Sequence, residues 1–156
     1  IISDSEIAID LTGDRNVITE NIIEGTGSSD KGIYTSSTSD NNFISNNQIT
    51  DFRNGIIIDG GDYHVIADNI IQTNLFFDDA SNCSGIEVNN GNYNIITGNN
   101  LYHYSNDGTG VGMGICIASP SSFYNLIDSN IAAYCEDPIF DGGTFTTVGS
   151  NIEEYN

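Results

Sequence analysis

One motif recurs along this chain and limits what it can fold into. It reads Asn-x-Ile-x-x-Asn followed by a second apolar pair, and it occupies residues 16–23, 42–49, 94–101 and 125–132. His64 takes the first Asn position in the copy at 64–71, and a frayed copy with Thr146 there closes the series at 146–152. The second Asn falls at 21, 47, 69, 99, 130 and 151, at intervals of 26, 22, 30, 31 and 21 residues. Periods in this range belong to solenoids, in which each repeat is one turn of a stacked coil.

A second marker precedes each copy: Gly or a substitute, then apolar, any, apolar. The copies are Glu6-Ile7-Ala8-Ile9, Gly32-Ile33-Tyr34-Thr35, Gly55-Ile56-Ile57-Ile58, Gly85-Ile86-Glu87-Val88, Gly114-Ile115-Cys116-Ile117 and Pro138-Ile139-Phe140-Asp141. Each repeat therefore offers three short segments of period-two alternation between polar turns, which is a strand signal. Apolar residues never recur at helical spacing behind a cap, so helix is not expected. Three strands per turn, stacked turn on turn, predict an all-β fold: a right-handed, single-stranded parallel β-helix of about six coils. It is read as one domain over 1–156, either a whole rod or a slice of a longer one. The Asn rows are expected to sit at the corners in left-handed backbone and to hydrogen-bond from coil to coil as amide ladders. His64 is expected to serve as a structural member of its row, and Ile18, Ile44, Ile66, Ile96, Ile127 and Val148 to stack inside. Variation in coil length is assigned to one connection only, long at 24–31, 72–84 and 102–113 and short at 50–54 and 133–137.

Twenty-two acidic residues against three basic ones give a net charge of −19. That disfavours nucleic acid, whose phosphates need Lys and Arg, and an anionic membrane surface likewise. No stretch reaches the roughly 18 apolar residues of a membrane span, so no membrane insertion is expected. Cys83, Cys116 and Cys135 form neither a disulfide framework nor a zinc spacing; one disulfide among them stays open. The acidic balance suits an extracellular, virion-surface or cell-surface setting.

The paired markers, Gly-Ile-x-Ile then Asn-x-Ile-x-x-Asn-x-Ile, resemble the pectate-lyase-like β-helix superfamily over nearly the whole chain. That superfamily includes polysaccharide lyases, epimerases, glycosidases, phage tailspikes and surface-layer proteins. The resemblance implies the architecture, and it implies that a site would lie on the Gly-Ile-x-Ile sheet beside the long loops; it does not choose an activity. Of the pectin-hydrolase motifs only Asp78-Asp79 has a counterpart, and Glu136-Asp137-Pro138-Ile139 lacks the His and Glu of the epimerase signature.

Alternation places Ala8, Tyr34, Ile57, Glu87, Cys116 and Phe140 in one outward row on that sheet, with Asp10, Ser36, Asp59 and Asn89 two residues further on. Asp59 and Glu87, with Lys31 and Arg53 beside them, form the candidate catalytic group. A lyase needs charge neutralisation and a base, and a glycosidase needs two carboxylates at about 5–9 Å. Tyr102, His103, Tyr104, Phe76, Phe77, Asp78 and Asp79 form the candidate glycan-binding set, the aromatic residues by stacking on sugar rings. The competing expectation is that these rings pack down over the apolar members of the outward row. Asp59, Asp62, Asp78 and Asp79 have the ligand type for Ca²⁺ but no established spacing; no other cofactor is expected. Polysaccharide or cell-surface glycan is the partner class, with a side-by-side homotrimer or end-to-end assembly as the modes of self-association. The leading function is a structural or adhesive module; the alternative is a polysaccharide lyase or glycoside hydrolase on the same face.

Overall fold

A computed structural model describes residues 6–26, 31–73, 82–104 and 111–155. Six coils follow one another, each contributing three strands. They are β1 (Ile7–Leu11), β2 (Val17–Thr19) and β3 (Ile22–Glu24); β4 (Lys31–Thr35), β5 (Phe43–Ser45) and β6 (Gln48–Thr50); β7 (Asn54–Ile58), β8 (Val65–Ala67) and β9 (Ile70–Gln72); β10 (Cys83–Val88), β11 (Ile95–Thr97) and β12 (Asn100–Tyr102); β13 (Gly112–Ile117), β14 (Leu126–Asp128) and β15 (Ile131–Cys135); and β16 (Asp137–Asp141), β17 (Thr147–Val148) and β18 (Ile152–Tyr155). Like strands stack into three six-stranded sheets: the first from β1 to β16, the second from β2 to β17, the third from β3 to β18. Every pairing between these strands is parallel. The described residues contain no helix.

The inward rows are single-residue columns. Ile9, Ile33, Ile56, Ile86, Ile115 and Ile139 stand in register in the first sheet. Ile18, Ile44, Ile66, Ile96, Ile127 and Val148 do so in the second. Between the first and third sheets the chains approach so closely that only glycine fits. A Cβ on Gly32, Gly55, Gly85 or Gly114 would lie 2.5–2.7 Å from the carbonyl oxygen of the residue beside it in the next coil, and would also strike Ile49, Ile71, Leu101 or Ala132 of the third sheet. The glycine of each opening marker is thus a packing requirement rather than a turn.

The second Asn row behaves as a ladder. The backbone N–H of Asn21, Asn47, Asn69, Asn99 and Asn130 each donates to the Oδ1 of the next coil's Asn at 2.9–3.1 Å, and each Nδ2 donates to the same oxygen at 2.9–3.0 Å. In the first row Asn16, Asn42, His64 and Asn94 link in the same direction, His64 accepting the Asn42 N–H through Nδ1 at 3.2 Å.

Three expectations need correction. Left-handed backbone is found not at the row Asn residues but one position before them: Arg15, Asn41, Tyr63, Tyr93, Tyr124 and Phe145 at one corner, Glu20, Asn46, Asp68, Gly98 and Ser129 at the next. The residue that turns is exposed, and the Asn after it points inward to hold the coils together. The first coil is offset by two residues: Ile9 pairs with Ile33 and Asp10 with Tyr34, so Asp10 rather than Ala8 opens the outward row. Coil length also varies at a second corner. Asn16 stands five positions after Leu11, Asn42 seven after Thr35 and Asn125 eight after Ile117, whereas the second Asn row always stands five positions after the first.

Candidate functional site

The first sheet's outer face brings together several of the residues singled out from the sequence. Tyr34, Ile57, Glu87, Cys116 and Phe140 follow one another across β4, β7, β10, β13 and β16. Tyr34 Oη donates to Asp59 Oδ2 at 2.6 Å, and Asn89 Nδ2 donates to Asp59 Oδ1 at 3.3 Å. Glu87 Oε2 accepts from Asn54 Nδ2 at 2.7 Å and Ser84 Oγ at 3.1 Å, and the same Asn54 amide reaches Ser84 Oγ at 2.8 Å. Lys31 Nζ lies 4.8 Å from the centre of the Tyr34 ring. The hydrogen bond to Asp59, reinforced by burial and by the charges of Asp59 and Asp10, pushes the Tyr34 phenol up to about 12. It therefore stays protonated near neutrality and acts as a donor.

Both carboxylates are thus fixed by uncharged donors, with one cation beside Tyr34. Arg53 does not join them as a facing cation. It is only 9% exposed, so little of it is open to a substrate. Ile57 and Cys116 belong to the outward row by alternation yet are buried. Burial, followed by the charges of Glu87 and Asp137, pushes the Cys116 thiol up to about 12.

Tyr104 is corrected from glycan contact to core. Its ring is fully buried, its Oη donates to the Phe52 carbonyl at 3.5 Å, and burial raises its phenol well above the ordinary value. Tyr102 is half-buried and His103 exposed; the His103 ring meets Tyr102 at 6.4 Å and Tyr134 at 5.3 Å between centroids. Phe76, Phe77, Asp78 and Asp79 lie outside the described residues. Asp62 is not part of the Asp59 cluster. It belongs to a corner row, where its Oδ1 accepts the N–H and the amide of Asn92 at 3.0 and 2.9 Å, and its own N–H donates to Asp40 Oδ1 at 2.9 Å. A shallow groove of about 320 Å³ runs along a different corner, between Glu20, Asn46 and Asp68 on one side and Ile22, Gln48 and Ile70 on the other. It shares no residue with the carboxylate cluster.

The sequence reading missed a further feature. The rings of Tyr63, Tyr93, Tyr124 and Phe145 stack coil upon coil, with centroids 5.2, 5.2 and 5.3 Å apart and planes within 8°, 13° and 12°. Its signal was present: each ring stands immediately before a residue of the first Asn row, at His64, Asn94, Asn125 and Thr146.

A model of the family described as periplasmic copper-binding protein (NosD) matches residues 1–142. The chain belongs to that family. No curated protein and no solved structure matches it. The NosD family's description makes the soft donors worth placing. This chain has three Cys, two His and one Met, and all six lie among the described residues. Cys83, Cys116 and Cys135 are buried thiols. Burial pushes the Cys135 thiol up to about 11, against the thiolate form that binds metals. His64 is fully buried with Nδ1 already accepting a hydrogen bond, and His103 is exposed among aromatic rings. Among the described residues, no three His, Cys, Asp or Glu side chains gather where they could hold one ion.

Proposed function

We propose that this chain is a non-catalytic, extracytoplasmic β-helix module that holds a neutral glycan on the outer face of its first sheet. The observation that carries the reading is the pair of carboxylates on neighbouring coils, each fixed by uncharged donors: Asp59 by Tyr34 and Asn89, Glu87 by Asn54 and Ser84. Fixed carboxylates, amides and a phenol repeating at the coil spacing of about 4.8 Å suit hydroxyl groups, which both donate and accept. Tyr34, Asn54, Ser84 and Glu87 stand on strands and Asp59 and Asn89 directly after strand ends, which keeps the row rigid. The NosD description supports a periplasmic or other extracytoplasmic setting, and the resemblance to pectate-lyase-like proteins supports the choice of face.

Copper binding is not part of this reading, because the donors named in the preceding section do not converge and the Cys116 and Cys135 thiols are held in the protonated form. A second reading, glycoside hydrolase or lyase, draws on the same Asp59 and Glu87.

Titration calorimetry against neutral and uronic oligosaccharides, paired with product analysis, tests both. The expected result is binding of a neutral oligosaccharide without cleavage, weakened at least about tenfold in Asp59→Asn/Glu87→Gln, in keeping with roughly 1.4 kcal/mol or more for the lost charged acceptors. Binding untouched by the double substitution would remove this face from the account. Cleavage products that disappear in the variant would establish the enzyme.

A further inference from the structure

The aromatic stack is hard to explain as a device for stability. Its four members occupy left-handed backbone, at φ of 62°, 56°, 57° and 55°, where a bulky residue costs roughly 1–2 kcal/mol. The second coil uses Asn41 at the same position, the choice that local sterics favour. Yet the rings remain 54%, 46%, 50% and 69% exposed, so much of the burial that would offset that cost is not made within one chain.

Beside the stack runs the second sheet's outward row: Val17, Phe43, Val65, Ile95, Leu126 and Thr147. Val17, Phe43 and Ile95 are 64%, 40% and 39% exposed. From Asn41 to Leu126 these two rows carry no charge, on a chain of net −19. At about 200 Å² per ring, the exposed fractions of the four rings leave roughly 400 Å² open. The aliphatic row brings the face toward the roughly 800 Å² per partner of a standard interface. Because the rings lie face to face, the stack presents edges; a sugar ring has no aromatic face to lie on except at its Phe145 end. A flat partner with its own edges and methyl groups fits better.

We infer that the outer face of the second sheet is a self-association surface on which two copies of this chain pack antiparallel. The charge pattern selects this occupant and this direction. The corner row flanking the stack carries Asp14, Asp40 and Asp62 in the first three coils and Asn92, Phe123 and Thr144 in the last three. A two-fold axis along the strands sets each Asp opposite an uncharged residue of the other copy. The same operation sets Arg15 beside the edge of Phe145, sets Tyr63 against Tyr93 at the centre, and faces Phe43 with Leu126 and Val65 with Ile95. Such a contact is isologous and closes on itself. It is also a face by which two bodies of charge −19 can approach without setting acid against acid.

Sedimentation equilibrium of the whole chain at about 100 μM is expected to show twice the chain mass. Because charge repulsion between the two copies is screened by salt, the dimer should tighten severalfold as ionic strength rises. Tyr63→Asn/Tyr93→Asn places at both central positions the residue that Asn41 already provides, so the fold, followed by circular dichroism and melting, should persist while the dimer is lost. Arg15→Glu takes each copy from −19 to −21 and should weaken association severalfold through added repulsion. A monomeric wild-type chain at high salt, or a dimer that survives the double Tyr substitution, overturns the inference. So does a monomeric wild-type chain that binds a neutral polysaccharide through these tyrosines, since the face would then be a glycan site.

Discussion

The two Asn rows use the same side chain at the same depth and yet differ in how completely they are satisfied. In the second row every Nδ2 has additional acceptors: Asn47, Asn99 and Asn130 each reach an Ile carbonyl of the preceding coil and a carbonyl two residues back in their own. In the first row Asn42 Nδ2, Asn94 Nδ2, His64 Nε2 and Thr146 Oγ1 are buried without a partner. The carbonyls of Ser39 and Gly60 lie near the His64 ring and favour its charged form. The corners explain the difference. The second row follows a corner of constant length, always five residues after the first, so each coil repeats the same geometry. The first row follows a connection whose length changes from coil to coil, and the carbonyls around it shift accordingly. A hydrogen-bonded column needs a fixed turn length more than it needs a particular residue.

Substitutions in the two rows should separate them. Asn99→Ala removes the acceptor of two Asn69 donors and three donations of its own. At about 1 kcal/mol per bond plus the penalty for stranded buried groups, denaturant unfolding should show a loss of about 4 kcal/mol. Asn94→Ala removes the acceptor of the His64 N–H and strands fewer groups; a loss of about 2 kcal/mol is expected. Equal losses at the two positions would break the comparison.

The pH dependence of the first row sharpens it. Burial lowers the His64 pKa from 6.5, against the opposing pull of the Gly60 and Ser39 carbonyls and the Asp40 and Asp62 charges. Above pH 6.5 the ring is neutral in both states. As pH falls, the unfolded chain takes up a proton first, so stability drops, by up to about 1.4 kcal/mol per pH unit, until the folded-state value is passed. His64→Asn should flatten that part of an unfolding-versus-pH curve while leaving stability near pH 8 within about 1 kcal/mol. The smallest effect belongs to Thr146→Asn, which supplies Asn125 with the missing amide and should add about 0.5–1 kcal/mol.

The architecture was legible because its inward columns are local and repeated. Asn-x-Ile-x-x-Asn and the two residues after it hold a second-sheet strand, the corner and the start of a third-sheet strand in eight residues. The first coil was misread because Ile7-Ala8-Ile9 and Ile9-Asp10-Leu11 alternate equally well; a shift of two residues preserves which side faces inward, and only pairing with β4 decides. Tyr34 with Asp59, and Glu87 on the neighbouring coil, could be brought to one face by alternation. Alternation also set Asn89 in the row of Asp59, but the Glu87 donors Asn54 and Ser84 could not be named, because side-chain reach along and across strands is not written in a period. Tyr104 went astray for a related reason: whether a residue beside a loop is covered depends on packing that no short pattern records. The stacked rings escaped notice because they stand at corners, outside the strand alternation.

The glycine seam has a consequence for how such a rod changes length. Where each coil abuts the next through backbone alone, and where the facing columns are the same from level to level, a coil inserted by duplication meets neighbours like those of its parent. Lengthening by whole turns therefore needs no compensating change elsewhere, whereas gaining half a turn would misalign every column at once.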